Sequence, residues 1–233
     1  MTSNPFLIPP FAERCRTSAN SSFGASYKHP FVTSLADGTL DAQKFRFYQI
    51  QDALYLESFS DACAILSTKV TDPEDKLWLV DAAKMALVVE SQLHIGYGKK
   101  LGYDANTIRT TEPTPNNLAY QNHMFASVTK GSILEGFAAI APCPWLYIEL
   151  GQHLLRELKT IPDSHPYADW LRMYSDPGFN EYMENLLGRL EKYAVLTDEG
   201  TKAKAVLAFQ QSCNYEWMFW EQAWTEQIWP SRI

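Results

Sequence analysis

The apolar residues between positions 41 and 69 recur every three to five residues, which is the period of a helix and not of a strand. They are Phe45, Tyr48, Ala53, Leu56, Phe59 and Cys63. Asp41 stands just before this segment, where its carboxylate can accept the free backbone N–H groups of a first helical turn. The pattern therefore predicts one long helix from about Asp41 to Lys69.

The rest of the 233-residue chain repeats this pattern between residues that start and stop helices. It predicts helices over 11–23, 30–37, 73–101, 118–129, 134–158, 167–174, 178–193 and 198–227, with a loop at 110–117. Asp72 and Asp198 are predicted to cap two of them. No segment alternates as a strand does, and the apolar content of 46% can fill one large core.

The sequence therefore predicts an all-α protein, a single helical bundle of roughly eight to ten helices. We expect one domain over residues 1–233, in which 1–28 form a lead-in with a short helix.

Composition excludes several classes of protein. The net charge is −7 and no basic stripe occurs, which argues against a nucleic-acid partner. The four cysteines are scattered without a CxxC pair, unlike a zinc ribbon or a disulfide framework: Cys15, Cys63, Cys143 and Cys213. The N-terminus lacks signal-peptide architecture, and no apolar run approaches the length of a bilayer. We expect a soluble, cytoplasmic protein with no membrane partner.

The segment Ala139–Leu155, AIAPCPWLYIELGQHLL, holds a cysteine between two prolines. Because proline is tolerated only in the first turn of a helix, Pro142 and Pro144 predict that a helix begins or is sharply kinked here. Cys143 would then lie at a helix N-terminus, whose partial positive charge favours a thiolate. Tyr147, four residues on, shares its face. A buried structural cysteine in an aromatic core is the alternative interpretation.

Two carboxylates also stand among apolar residues. Asp52 and Tyr55 are three residues apart in QIQDALYLESF and share a helix face, although such an aspartate usually belongs to a solvated surface. Glu216 differs, because aromatic residues cover much of its helix: Trp217, Phe219, Trp220 and Trp224. A carboxyl group buried in such a place is expected to have a raised pKa, which suits a general acid or base.

Two pairs of ligand-type residues allow a metal-based alternative. Glu90 and His94, like Glu149 and His153, are four residues apart on predicted helices and could serve a dinuclear iron site. The usual bundle motif spaces Glu and His by three residues instead, and exposed pairs at this spacing are common surface neighbours. We therefore expect no metal site.

Three segments, in this order and at this spacing, resemble the TenA / thiaminase II family: HPFVTSLADGTLDAQKFRFYQIQDALYL, APCPWLYIELG and NYEWMFWEQAW. The resemblance runs from His29 to Trp224. It implies a bundle similar in fold to haem oxygenases, a deep acidic pocket lined by aromatic residues, and a homotetramer. It also implies a hydrolase of thiamin salvage, which cleaves aminomethyl-pyrimidine or thiamin to hydroxymethyl-pyrimidine.

By its motifs, the resemblance places the family's nucleophile at Cys143, in the cysteine-containing branch, and its acid/base glutamate at Glu216. Asp52 matches the aspartate that binds the pyrimidine, with Tyr55 beside it. The ring-contacting tyrosines match Tyr120, Tyr147 and Tyr174. The implied chemistry needs no metal or organic cofactor. A metal-dependent oxidase on the same bundle and a non-catalytic pyrimidine-binding protein are the alternatives.

Overall fold

All regular structure in the described part of the chain is α-helical. The computed structural model describes residues 6–231, except for the side chains of residues 89–95. The helices of this part are α1 Pro10–Ser18, α2 Asn20–Tyr27, α3 Pro30–Asp37, α4 Ala42–Lys69, α5 Pro73–Leu101, α6 Ala105–Thr110, α7 Pro115–Lys130, α8 Ile133–Ile140, α9 Pro142–Leu158, α10 Ala168–Ser175, α11 Phe179–Val195 and α12 Glu199–Trp224. The prediction of an all-α fold is confirmed.

The described helices outnumber the predicted ones, because two predicted helices are split and one was missed. The segment 11–23 divides at Ala19 into α1 and α2, and the segment 134–158 divides at Ala141 into α8 and α9. The missed helix, α6, is short and is held by a capping box between Asp104 and Thr107. Only residues 111–114 of the predicted 110–117 loop are non-helical, since α7 already begins at Pro115.

The long helices begin where the sequence predicts. Asp41, Asp72 and Asp198 cap α4, α5 and α12, accepting backbone N–H groups two or three residues on at 2.7 to 3.1 Å. Such caps typically contribute about 1 kcal/mol each. Gly102 ends α5 in the left-handed conformation (φ 70°), which a residue with a Cβ atom adopts only with strain. These local signals explain why the boundaries of α4 and α5 could be predicted.

Helix α12 forms the centre of the bundle. It packs against seven other helices, namely α1, α2, α3, α4, α7, α8 and α9. Its buried residues include Phe209, Cys213, Glu216 and Trp220. A carboxyl group therefore lies in the middle of an otherwise mainly apolar core.

The segment before α3 is part of this core. Phe23 of α2 stacks on Phe209 of α12 with the ring centroids 6.4 Å apart. The Arg16 guanidinium lies 3.8 Å from the Phe23 ring centroid and donates to a Glu149 carboxylate oxygen of α9 at 2.9 Å. Residues 6–28 are thus packed onto the bundle by aromatic and ionic contacts.

One stretch of the chain, Ile133–Leu158, is long and apolar enough to cross a membrane by length and composition. This differs from the expectation that no apolar run approaches bilayer length. About three quarters of its most apolar window is nevertheless buried inside the fold. The stretch comprises α8 and α9, which pack against α7, α10 and α12, and it therefore has the burial of a core element.

Candidate active site

A pocket opens between α4, α5, α9, α10 and α11. It encloses about 690 Å³, counting the solvent space at its mouth. Four of the seven predicted site residues line it: Asp52, Cys143, Tyr147 and Tyr174. The other three, Tyr55, Tyr120 and Glu216, form a fully buried cluster next to it. Cys143 links the two groups, because it interacts electrostatically with the Tyr55 and Tyr120 phenols.

Cys143 is the second residue of α9, in the first turn that Pro142 opens. The predicted helix start is confirmed. Because Ala141 also has helical dihedrals (φ −64°, ψ −37°), the chain passes from α8 into α9 without a loop. Cys143 is half-buried at the pocket wall, whereas the other described cysteines are buried. Burial raises the pKa of the Cys15 and Cys63 thiols to about 12, so both remain protonated and unreactive at neutral pH.

Two residues that the sequence analysis missed hydrogen-bond near the break between α8 and α9. Pro142 and Pro144 have no N–H, so the first turn of α9 offers no backbone donor four residues on to two of the last carbonyl groups of α8. The hydroxyl of buried Ser212 on α12 donates to the Ala139 carbonyl oxygen at 2.8 Å. His123 Nε2 lies 3.1 Å from both Ser212 Oγ and the Ala208 carbonyl oxygen. Since a carbonyl only accepts, Nε2 carries the proton, and this network fixes the backbone just before Cys143.

Glu216 is 2% exposed, and the Tyr120 hydroxyl donates a hydrogen bond to its Oε1 at 2.6 Å. Burial raises the pKa of Glu216 to about 8, although the hydrogen bond from Tyr120 lowers it in part. The predicted direction of the pKa shift is therefore confirmed. The carboxyl group is protonated at neutral pH and can act as a proton donor.

The aromatic residues around Glu216 differ in part from those that the sequence suggested. Trp217 packs edge-on against His29, and Trp224 lies beneath the Lys44 ammonium, so both lie in other surroundings. Glu216 interacts instead with the tyrosines of neighbouring helices, namely Tyr55, Tyr120 and Tyr147. Its burial is a product of helix packing.

Tyr147 is oriented by a further residue that the sequence analysis did not assign to the site, Tyr48. The buried Tyr48 hydroxyl accepts the Trp170 indole N–H at 3.3 Å and donates to the Tyr147 hydroxyl at 3.2 Å. Tyr147 thus receives a hydrogen bond from α4 and can donate its own proton into the pocket. Its ring centroid lies 4.9 Å from that of Tyr174. Tyr48 precedes Asp52 by four residues on α4, and this spacing is the signal that could have indicated it.

The position of Tyr174 depends on a glycine. A Cβ atom on Gly151 of α9 would lie only 2.4 Å from the carbonyl carbon and oxygen of Tyr174, so α9 and α10 touch backbone to backbone. We expect Gly151→Ala to push α10 outwards and to destabilise the fold by about 1–3 kcal/mol. We also expect it to lower kcat/KM for a substrate that binds in the pocket. Thermal unfolding and kinetics of the variant test this.

Gly188→Ala is the matched control for that experiment. Gly188 lies inside α11, where a Cβ atom would have open space within 4 Å. Alanine there should raise stability by about 0.5–1 kcal/mol and leave kinetics unchanged. Equal stability and equal kinetics for the two variants would contradict the role assigned to the α9–α10 contact.

The residues considered as metal ligands have other partners where their side chains are described. Glu149 pairs with Arg16 at 2.9 Å, and His153 Nε2 lies 3.3 Å from Glu157. Glu90 and His94 fall outside the described side chains. Among the described residues, no group of three or more His, Cys, Asp or Glu side chains could hold a metal ion.

The sequence matches the family model described as TENA/THI-4/PQQC family over residues 18–226. It is 33% identical over 222 residues to the aminopyrimidine aminohydrolase of Halalkalibacterium halodurans, covering 94% of this chain and 97% of that protein.

Solved structures agree with this match. The TenA homologue protein from P. horikoshii OT3 has a TM-score of 0.81 and 32% sequence identity, covering 94% of this chain and 99% of that one. A Shewanella denitrificans domain of unknown function with a heme oxygenase-like fold has a TM-score of 0.69 at 14% identity, covering 94% of each chain. The expected likeness to the haem oxygenase fold is therefore confirmed.

Proposed function

Because the chain belongs to the TENA/THI-4/PQQC family, we propose that it is an aminopyrimidine aminohydrolase, or thiaminase II, of thiamin salvage. One observation carries this proposal. A half-buried cysteine at a helix N-terminus lines a pocket together with Asp52, beside a buried glutamic acid that is protonated at neutral pH. These groups supply a nucleophile, a proton donor and a hydrogen-bond acceptor for one small aromatic substrate.

The first half of the reaction makes the leaving group depart. The Cys143 thiolate bonds to a pyrimidine carbon next to a ring nitrogen, and that nitrogen takes the proton from Glu216. The electron pair gained by the ring then expels the leaving group from the methylene carbon. An exocyclic methylene remains on a ring that is still bonded to sulfur.

The second half restores the aromatic ring. A water molecule bonds to the methylene carbon through its oxygen and releases one proton to the solvent. The ring nitrogen returns its proton to Glu216 as the carbon–sulfur bond breaks, and the thiolate departs. The product is the hydroxymethyl-pyrimidine, and both Cys143 and Glu216 regain their starting states.

The remaining predicted residues hold the substrate ring. Asp52 lies at the pocket wall on α4, where its carboxylate can accept from the exocyclic amine of the pyrimidine. Tyr147 and Tyr174 line the same pocket and offer faces for the ring. Tyr120 and Tyr55 lie behind Cys143, where Tyr120 positions the Glu216 carboxyl group. Fixed substrate orientation of this kind lowers the entropic part of the barrier.

Incubation of the purified protein with aminomethyl-pyrimidine and with thiamin, followed by chromatography of the products, tests the proposal. We expect hydroxymethyl-pyrimidine from both substrates, with the larger kcat/KM for aminomethyl-pyrimidine. A chelator should leave both rates unchanged, since no metal is used in the steps above.

The alternatives predict different outcomes of the same experiment. A pyrimidine-binding protein would bind both compounds without forming product. A metal-dependent oxidase would lose its activity to the chelator and would contain stoichiometric iron by elemental analysis. A much larger kcat/KM for thiamin would contradict only the expected preference for aminomethyl-pyrimidine and not the proposed reaction.

We also propose that the 233 residues form one domain that assembles as a homotetramer in the cytoplasm. The segment 77–88 of α5 supports the assembly, because it carries exposed apolar side chains: Leu77, Val80, Leu87 and Val88. The free thiols of the four cysteines suit a reducing compartment. Light scattering of the purified protein measures the assembly, and a monomeric mass would contradict it.

A further inference from the structure

The outer end of the pocket has an aromatic wall that the sequence analysis did not identify. Met85, Phe179 and Tyr182 line the pocket and also line a second, more open concavity on its solvent side. That outer concavity adds polar residues of α11 and the turn before it, among them Asp176 and Glu181. The three shared residues therefore stand on the boundary between the pocket and solvent.

Tyr182 packs against a stack of side chains. Its ring centroid lies 5.2 Å from that of Trp78 on α5, and the Arg189 guanidinium lies 4.9 Å from the Trp78 ring centroid. Arg189 Nε in turn is 3.1 Å from Oδ1 of the buried Asp75. This stack joins α5 to α11, so the wall is part of the bundle and not a loose surface side chain.

The aromatic character of this wall is suited to a positively charged group. Burial raises the pKa of Tyr182 well above its ordinary value, so the phenol stays neutral. Among the described residues that line the pocket and the outer concavity, none is Lys, Arg or His, whereas three are acidic: Asp52, Asp176 and Glu181. A flat cation against neutral aromatic faces is stabilised by the ring quadrupole and by this negative surrounding.

The position of Cys143 indicates which end of a substrate meets this wall. Cys143 interacts with Tyr55 and Tyr120, which also interact with Glu216, and it interacts separately with Tyr182 of the pocket wall. A pyrimidine bonded to the sulfur and protonated by Glu216 therefore lies towards the buried cluster. Its methylene substituent then has the space towards Tyr182 and the pocket mouth.

We propose that Phe179 and Tyr182 form the leaving-group face of the pocket and favour a substrate whose methylene carbon carries a flat, cationic heteroaromatic ring. This inference rests on the proposed function. A protonated amine is too small to cover either ring. The two side chains therefore contribute more to cleavage of thiamin, whose methylene carbon carries a thiazolium ring that departs as neutral thiazole, than to cleavage of aminomethyl-pyrimidine. They act as specificity-determining residues, while Cys143 and Glu216 perform the chemistry common to both substrates.

The test compares kcat/KM for thiamin and for aminomethyl-pyrimidine in Phe179→Leu, Tyr182→Leu and Tyr182→Phe. We expect each leucine variant to lower the thiamin to aminomethyl-pyrimidine ratio roughly fivefold to thirtyfold. Tyr182→Phe keeps the aromatic face and should keep the ratio within about twofold. Equal losses for both substrates, or an unchanged ratio in both leucine variants, would overturn the inference.

A binding measurement separates this inference from the proposed function. In a Cys143→Ala background, the ratio of the Kd of hydroxymethyl-pyrimidine to the Kd of thiamin reports the contribution of the leaving group without turnover. We expect this ratio to fall when either leucine substitution is added, and an unchanged ratio would count against the leaving-group face. If the wild-type protein cleaves neither substrate, the proposed hydrolase fails, and these Kd values still decide the inference.

Discussion

Replacing Cys143 by alanine is expected to lower turnover by several orders of magnitude while the melting temperature changes little. The covalent route needs the sulfur, and no other described cysteine lines the pocket. Substrate should still bind, because Asp52, Tyr147 and Tyr174 remain in place. Turnover, Kd and thermal unfolding of this one variant therefore separate a nucleophile from a packing residue.

Cys15→Ala is the matched control and should give the opposite result. Cys15 is fully buried in α1 and does not line the pocket. Its truncation should cost stability on the order of 1 kcal/mol and leave turnover intact. Normal turnover in a folded Cys143→Ala protein would remove the cysteine from the mechanism and favour the binding-protein or oxidase alternatives.

Alkylation gives an independent measure of the same assignment. An alkylating reagent should label Cys143 before the other three cysteines, since burial keeps Cys15, Cys63 and Cys213 as unreactive thiols. Bound pyrimidine should protect Cys143 from the reagent. Faster labelling of any buried cysteine, or no protection, would contradict a pocket-facing nucleophile.

The predictable part of this fold is the part that local chemistry determines. Asp41 and Asp72 mark the starts of α4 and α5, because a capping carboxylate acts on N–H groups two or three residues away. The start of α9 could be placed for the same reason, since Pro142 restricts only its immediate neighbours. The division at Ala19 has no comparable proline or glycine signal, and the sequence analysis missed it.

The predictable part of the candidate site is limited in a similar way. The pairing of Cys143 with Tyr147 follows from one turn of helix, and both line the pocket. The position of Tyr182 in the pocket could not be inferred, because no spacing in the sequence indicates that α11 faces α5 across a pocket. Ser212 was missed because its role exists only where α12 crosses the break between α8 and α9.

The burial of Glu216 was predicted correctly, but from neighbours that are in part the wrong ones. The run of tryptophans and phenylalanine on α12 indicated a buried carboxyl group, and the carboxyl group is buried. Its partner is nevertheless Tyr120 from α7, while Trp217 and Trp224 pack elsewhere. Residue composition could indicate a dry environment, but only the packing of α7 on α12 supplies the hydrogen bond that orients the acid.

Glu216→Gln is expected to reduce turnover by about 10²–10⁴-fold while the fold and much of the pyrimidine affinity are retained. An amide can accept the Tyr120 hydrogen bond but cannot deliver a proton. In the wild-type protein, kcat/KM should fall as the pH rises through about 8, because the carboxyl group then loses the proton that it donates. Glu221→Gln, which removes a half-exposed carboxylate of the same helix, is the control and should keep normal turnover.

The same substitution should change the pH dependence of stability in a defined direction. The pKa of Glu216 is about 8 in the folded protein and near 4.5 for an ordinary glutamic acid, so between these values the folded state holds a proton that the unfolded state has released. Wild-type stability therefore decreases as the pH rises through this range. Glutamine does not ionise, and the melting temperature of Glu216→Gln relative to wild type should rise steadily from about pH 5 to about pH 8. If the difference in melting temperature between the variant and wild type did not change with pH, Glu216 would ionise as an ordinary carboxylate. A buried proton donor at this position would then be excluded.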